Sequence, residues 1–400
     1  MRNRWIFCAL VVSLLGMWGT SLAQTLEDTG KAYTLFTKDR VVLQGTKEET
    51  DRHISCDVSA AKARQPMEGI SSTTGFPLPA ENGYMPIMVQ VSNATGQAPG
   101  LSGKNVQAAG LGKRAPWGAQ YADIIYESLL YQTGQTRYTF LFHDELVDGR
   151  EVHTGPVRSA RIGSMILSRA WGGGFVCVGM AGVERQYMEQ YGVNERSFVF
   201  DLHQNRYHDI KHRIRNVKAP DNYDVNVSGF QKSAWERICP TPCSFRFAST
   251  SPYGKDYQTA SRIFLDWGER EYLSSFVYDA QTGLYQRFCG DKDGAPWLSF
   301  ASQEDRETAH MQPLTFRNLI MQRIRYTYLS DQKALPVPQS VGSGNADIFI
   351  NGRYIPGYWV CEGVDCPTMF FDDQGKEIQL SCGKTYIAQF SPLRLLAFAF

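Results

Sequence analysis

The sequence predicts an α/β N-terminal domain with a mixed sheet, followed by a mostly-β (α+β) C-terminal domain. Three observations carry that prediction. Between residues 85 and 244, strand-like apolar runs alternate with segments of helical periodicity, the pattern of helices layered on a sheet. From 245 to 400 the texture changes to short β-branched and aromatic pieces broken by Gly, Asn and Asp. The length of 400 residues exceeds what one ordinary core holds, so two units are expected. Residues 1–23 read as an export signal, and 24–84 as a polar extension and linker.

In chain order, Val41–Leu43 makes a short strand, and Pro77, Pro79 and Glu81-Asn82-Gly83 a linker. Residues 85–92 form a buried-type strand ending at Asn93. Gly and Pro from 96 to 118 mark a long loop of the kind that carries function. Ala122–Leu130 and Thr136–Phe142 are strands joined by a turn at Gly134. A helix over 156–170 precedes Gly172-Gly173-Gly174, then a strand at Phe175–Met180, a helix at Val183–Tyr191 and a strand at Ser197–Leu202. A basic loop, His203–Lys218, leads through a turn at 219–223 to a short helix at Ser228–Ile238. The second half offers strands at 274–278, 284–288, 319–328, 346–350, 358–361, 369–371 and 384–389.

Hydrophobic residues make up 43%, with 22 Phe, 20 Tyr and 8 Trp, which supports packed interiors rather than disorder. A net charge of +1 lacks the electrostatic footprint of a nucleic-acid binder. Arg2 and Arg4, the apolar run Trp5–Trp18 and Ser21-Leu22-Ala23 before Gln24 have the layout of a cleavable signal peptide. The run is short for a membrane span, which makes an uncleaved anchor over Trp5–Ala23 the lesser alternative, and no later window is long and apolar enough for one. The mature chain is therefore expected outside the cytoplasm, on the periplasmic or cell-wall side.

Apart from Cys8 in the signal, eight cysteines remain, an even count that suggests disulfides in an exported chain. Cys239 and Cys243 bridge only if the intervening prolines turn the chain, because extended polyproline separates them too far. Gly363 permits a Cys361–Cys366 closure, with Cys382 as a competing partner. Cys177, in an apolar run, reads as a buried small hydrophobe.

The most chemically pointed stretch runs from His153 to Ser168. Thr154 or Gly155 suits a helix cap and Pro156 a first turn, while Val157, Ile162, Met165 and Ile166 recur at helical spacing. That reading puts Arg158 and Arg161 on one side of the first turns, where the helix end adds positive bias: an anion or carboxylate site.

Several stretches together resemble the YerB-like lipoprotein family of bacteria, a family of unknown function with an N-terminal and a C-terminal half. They are Pro86-Ile87-Met88-Val89 leading to Asn93, Ala122 to Glu127, Thr136-Arg137, Gly155 to Arg161, and Lys218-Ala219-Pro220 with Asn222. In the second half they are Tyr278-Asp279 with Thr282 to Tyr285, Gly342-Ser343-Gly344, Asn351-Gly352, Trp359, and Asp372 to Gly375. The resemblance implies a two-part fold over about 85–390 and no known activity. Two positions depart from the family pattern. Gln24 stands where a lipobox would place Cys, so no lipid anchor is expected; Asp221 stands where relatives often carry His, so no catalytic role carries over.

The expected ligand site comprises Arg158, Ser159, Arg161 and Arg137, with Glu127, Asp123 and Asn93 shaping its rim. The bland alternative pairs Arg137 or Arg158 with Glu127 or Asp123 in a buried scaffold network. His208 and His212 have i, i+4 spacing, but surrounding Arg and Lys favour a solvated basic face over a metal site. No Gly-x-Ser-x-Gly elbow appears, and only His153 stands near Ser159 as a base. Gly172-Gly173-Gly174 lacks the Lys and Ser/Thr of a phosphate loop. No metal or cofactor is expected. The function expected is non-enzymatic binding of an anionic envelope polymer or an envelope protein; the alternative is a hydrolase of envelope polymers using Glu127 or Asp123 as acid/base.

Overall fold

The computed structural model describes residues 32–36, 42–46, 55–56, 58–63, 66–78, 83–93, 116–190, 195–213, 219–269, 272–289, 295–296, 298–299, 312–329 and 335–399. Residues 1–23, read above as a signal, residues 94–115 of the long loop and 214–218 of the basic loop lie outside them. Among the described residues no helix is long and apolar enough to cross a membrane.

The chain is built on an 11-stranded sheet to which both halves contribute. From the first half come β1 (Ile87–Val91), β2 (Ile124–Leu129), β3 (Thr136–Phe142), β4 (Gly174–Cys177) and β5 (Val199–Asp201). From the second come β6 (Asn318–Arg323), β7 (Gly342–Ile350), β8 (Arg353–Cys361), β9 (Met369–Asp372) and β10 (Thr385–Phe390). The order is Gln258–Thr259, β8, β7, β6, β10, β2, β3, β1, β4, β5, with β9 beside β8. The strand β10 lies parallel between β6 and β2, so hydrogen bonding runs unbroken from one half into the other. Strands β1 and β2 run parallel with β3 antiparallel between them, a mixed sheet as the sequence predicts.

The central strands are apolar on both faces, the signature of a sheet covered on both sides. Ile87, Val89, Ile125, Tyr138, Phe140, Tyr386 and Ala388 face one core. That core also takes Phe230 from helix α3 (Val227–Trp235), and Ile263, Phe276 and Phe398 from a second, 8-stranded sheet. Met88, Ile124, Leu141, Phe175 and Ile387 face the other core, which helix α1 (Ile162–Ala170) covers with Met165, Ile166 and Leu167. Helix α2 (Gly182–Gln190) adds Met188 to it.

Helix α1 begins six residues later than its periodicity suggests. The peptide Gly155–Pro156 is cis, and residues 156–160 are pinned extended by the sheet. Arg158 N donates to Gln90 O and Arg158 O accepts from Val178 N, so the segment is wedged between the diverging ends of β1 and β4. Ladder hydrogen bonds on both sides outweigh a helical preference there. Helical geometry thus does not bring Arg158 and Arg161 to one face: Arg158 sits in the wedge, and Arg161 is the residue before the first turn.

Cys56, Cys177, Cys239, Cys243, Cys361, Cys366 and Cys382 form no disulfide, so the expected bridges among them are not made. Cys361 Sγ instead donates to the carbonyls of Gly363 and Cys366, at 3.3 and 3.4 Å. Cys177 is fully buried.

Candidate functional site

The sequence-predicted residues divide among three places around the β2–β3 pair. Register decides the division. Ser128 lies opposite Arg137, and Glu127 opposite Tyr138. Side chains alternate faces along a strand, so Glu127 and Arg137 project from opposite faces of the sheet. Glu127 therefore does not shape the rim of an arginine site.

Arg137, Arg158 and Arg161 do come together, on the α1 face at the carboxyl ends of β1 and β4. Arg137, 4% exposed, donates from Nη1 to the carbonyl of Ser159 at 3.2 Å. Its Nε is buried with no hydrogen-bond partner. Burial holds its guanidinium well below the usual arginine pKa, and the charges of Arg161 and Arg158 add to that. Arg158 pairs with Asp221, both side chains about one-fifth exposed. Arg161 donates to Ala160 O at 2.6 Å and to Glu184 at 3.2 Å, and its Nε too is buried without a partner. Glu184 on α2 is 1% exposed; burial raises its pKa and Arg161 opposes the rise. Three guanidinium groups thus share two carboxylates, beside the positive end of α1. Ser159 contributes its carbonyl to this cluster. His153, the nearest base in sequence, is engaged by Asp224 at 2.7 Å and Glu151 at 3.2 Å.

On the opposite face, Glu127 is fully buried. It accepts from Arg287 at 2.7 Å, from Tyr386 and Thr136 at 2.5 Å each, and from Asn93 at 3.3 Å. Arg287 also donates to Tyr138 and Ser274, at 2.7 Å each, and packs near the rings of Tyr386 and Phe276. Asn93 belongs to this network, not to the arginine cluster. Both carboxylate oxygens of Glu127 are occupied and out of reach of solvent, a poor arrangement for an acid/base that must exchange protons with substrate. Arg287 carried no local motif, and its partner lies 160 residues away.

Asp123 stands at the far end of β2, where β3 finishes in His143 and Asp144. One ligand atom from each of these three residues lies within 4.8 Å of the others. Asp144 accepts from Ser71 at 2.6 Å, Thr73 at 3.2 Å, His143 at 3.1 Å and also Thr74. Asp123 accepts from Thr73 at 2.8 Å and from the backbone N–H of Asp144 at 3.0 Å. Burial and the neighbouring Asp144 push the Asp123 carboxyl well up. Burial also pushes Asp144 up, but bonds from His143, Ser71 and Thr74 bring it below the usual carboxylate value. Hydroxyl, N–H and imidazole donors engage both oxygens of Asp144 and Oδ2 of Asp123, so the protein's own donors already occupy most of this set. Asp123 neither rims the arginine cluster nor faces an open cleft.

His208 and His212 do not share a helix face: His212 lies in the short strand Lys211–Arg213, its ring stacked on His153 at 6.0 Å.

Comparison with known proteins agrees with this architecture. The N-terminal domain model of a protein family of unknown function, DUF3048, matches residues 104–238, and its C-terminal domain model matches 263–387. The crystal structure of YerB from Bacillus subtilis superposes with a TM-score of 0.60 at 19% identity, covering 82% of this chain and 99% of that one. No curated protein matches.

Proposed function

The chain belongs to the YerB-like DUF3048 family, and from that premise we propose that it is an exported cell-envelope protein that binds one carboxylate or phosphate group of an anionic envelope polymer or partner protein. The site is the Arg137, Arg158 and Arg161 cluster. One observation carries the reading: three guanidiniums share two carboxylates, and the Nε groups of Arg137 and Arg161 are buried without acceptors. A buried N–H without a partner and a buried charge without a counterion are both costly, and a bound anion relieves both. The cluster lies outside the carboxyl ends of parallel strands, the side on which open α/β sheets hold ligands. The layout of residues 1–23 supports export.

The test is capture of fractionated envelope polymers by the mature chain and by the variants Arg137→Met and Arg161→Ala. Both variants are expected to bind at least about tenfold more weakly, about 1.4 kcal/mol. Arg137→Met is expected to melt no lower than the parent, because a buried unpaired charge is replaced by an apolar chain of similar length. A lower melting temperature with capture unchanged would reduce the cluster to scaffold.

A further inference from the structure

A second feature lies at the other end of α1, about 13 Å from Arg161 along a nine-residue helix. There Leu167, Ala170 and Trp171, the segment 241–246, and residues 365–370 and 377–380 enclose a cavity of about 280 Å³. Tyr126, Leu167, Trp171, Phe370 and Leu380 line it, each 5% exposed or less. All five belong to the core cluster on the α1 face, so the inner wall of the cavity is core, while its outer side opens to solvent beside Thr241, Pro242, Arg246 and Asp365. An apolar void of about 150 Å³ suffices for benzene.

The walls are aromatic and fixed. Trp171 meets Phe245 edge to face at 5.2 Å and 88°, and Phe245 lies 6.0 Å from Phe370. The Trp171 indole N–H donates to Tyr126 Oη at 2.8 Å, and Tyr84 Oη donates to the Trp171 carbonyl at 2.8 Å. Cys243, Cys366 and Met369 also line the cavity, together with polar residues such as Ser244, Thr368 and Glu377. The exposed lining residues Arg246 and Asp365 mark the open side, and Asp365 is steadied there by Arg169 Nε at 2.7 Å.

We propose that this cavity is a binding site for a single flat aromatic group, its ring lying against the wall formed by Trp171, Phe245 and Phe370 and its polar end at Arg246 and Asp365. The ring comes either from a free small molecule or from an aromatic side chain of a partner.

The probe is 2-naphthol, titrated into the whole mature chain and followed by its fluorescence. Saturation at one site is expected, with at least tenfold weaker binding to Ala170→Phe, which fills the cavity from the last residue of α1. Crystals soaked with iodobenzene give a readout that needs no variant: the iodine should lie among Trp171, Phe245 and Phe370. Competition by the peptide Gly-Trp-Gly would assign the ring to a partner's side chain, and failure to compete would assign it to a free molecule. No saturable binding, full binding by a folded Ala170→Phe, iodine elsewhere, or decanoate binding more tightly than 2-naphthol would overturn the proposal.

Discussion

At one end of the β2–β3 pair, Asp123 and Asp144 accept from Ser71, Thr73, Thr74, His143 and a backbone N–H. At the other end, Arg137 and Arg161 each keep a buried Nε without an acceptor, although Glu184 and Asp221 are at hand. Both ends are charged and largely buried, so charge and burial do not distinguish them. What is left over does. The acidic end leaves the single ring nitrogen Nε2 of His143 buried without a partner while its carboxylates are hydrogen-bonded, whereas the arginine end leaves guanidinium N–H donors over, which an anion from the surroundings can satisfy.

The largest expected effect tests the sealed network on the other face of the sheet, behind the arginine end. Arg287→Met or Glu127→Gln breaks a sealed ion pair and should cost about 3–5 kcal/mol in urea unfolding, since one charge stays buried alone. A loss below about 1 kcal/mol would show that burial is a poor guide on either face.

Asp144→Ala comes next. It strands the hydroxyls of Ser71 and Thr74 and the ring of His143, while Thr73 keeps Asp123, with an expected loss of about 1–3 kcal/mol and no change in ligand capture. The sign with pH follows from its lowered carboxyl: its contribution is complete above the ordinary value of 3.8 and is lost as pH falls through the folded value. The acid limb of the stability curve should therefore be shallower in Asp144→Asn than in the parent. A capture defect in either variant would erase the distinction between the ends.

Arg137→Met is the mirror experiment, costing about tenfold in capture and no stability. The smallest effect belongs to Thr73→Val, at about 0.5–1.5 kcal/mol, because Asp123 and Asp144 each retain another donor. A Thr73 effect as large as that of Asp144 would mean the acidic end is less redundantly satisfied than its contacts suggest.

Most elements are legible in the sequence because the central strands are largely apolar runs rich in β-branched and aromatic residues and the helices keep a recognisable periodicity. Residues 136–142 were read to the residue, and the strands at 274–279, 284–289 and 369–372 nearly so. What stayed hidden was pairing. Nothing local announces that 385–390 lies beside 124–129, or that Arg287 closes on Glu127. The helix start was misjudged for the same reason: residues 156–160 follow their neighbours in the sheet, not their own spacing. The three arginines were found from composition and motif, but their grouping with Glu127, Asp123 and Asn93 required a register that sequence does not print. His143 and Asp144 gave no signal beyond being adjacent polar residues after a strand.

The parallel placement of β10 between β6 and β2 has a consequence for how the polypeptide is made. A chain synthesised from its N-terminus holds β2 ready long before residue 385 exists, yet the seat beside it stays vacant until residues 385–390 have been made. Contacts of such long separation are slow to form. A fragment ending before residue 385 is thus a ribbon missing its middle slat, and the two halves are expected to mature together or not at all.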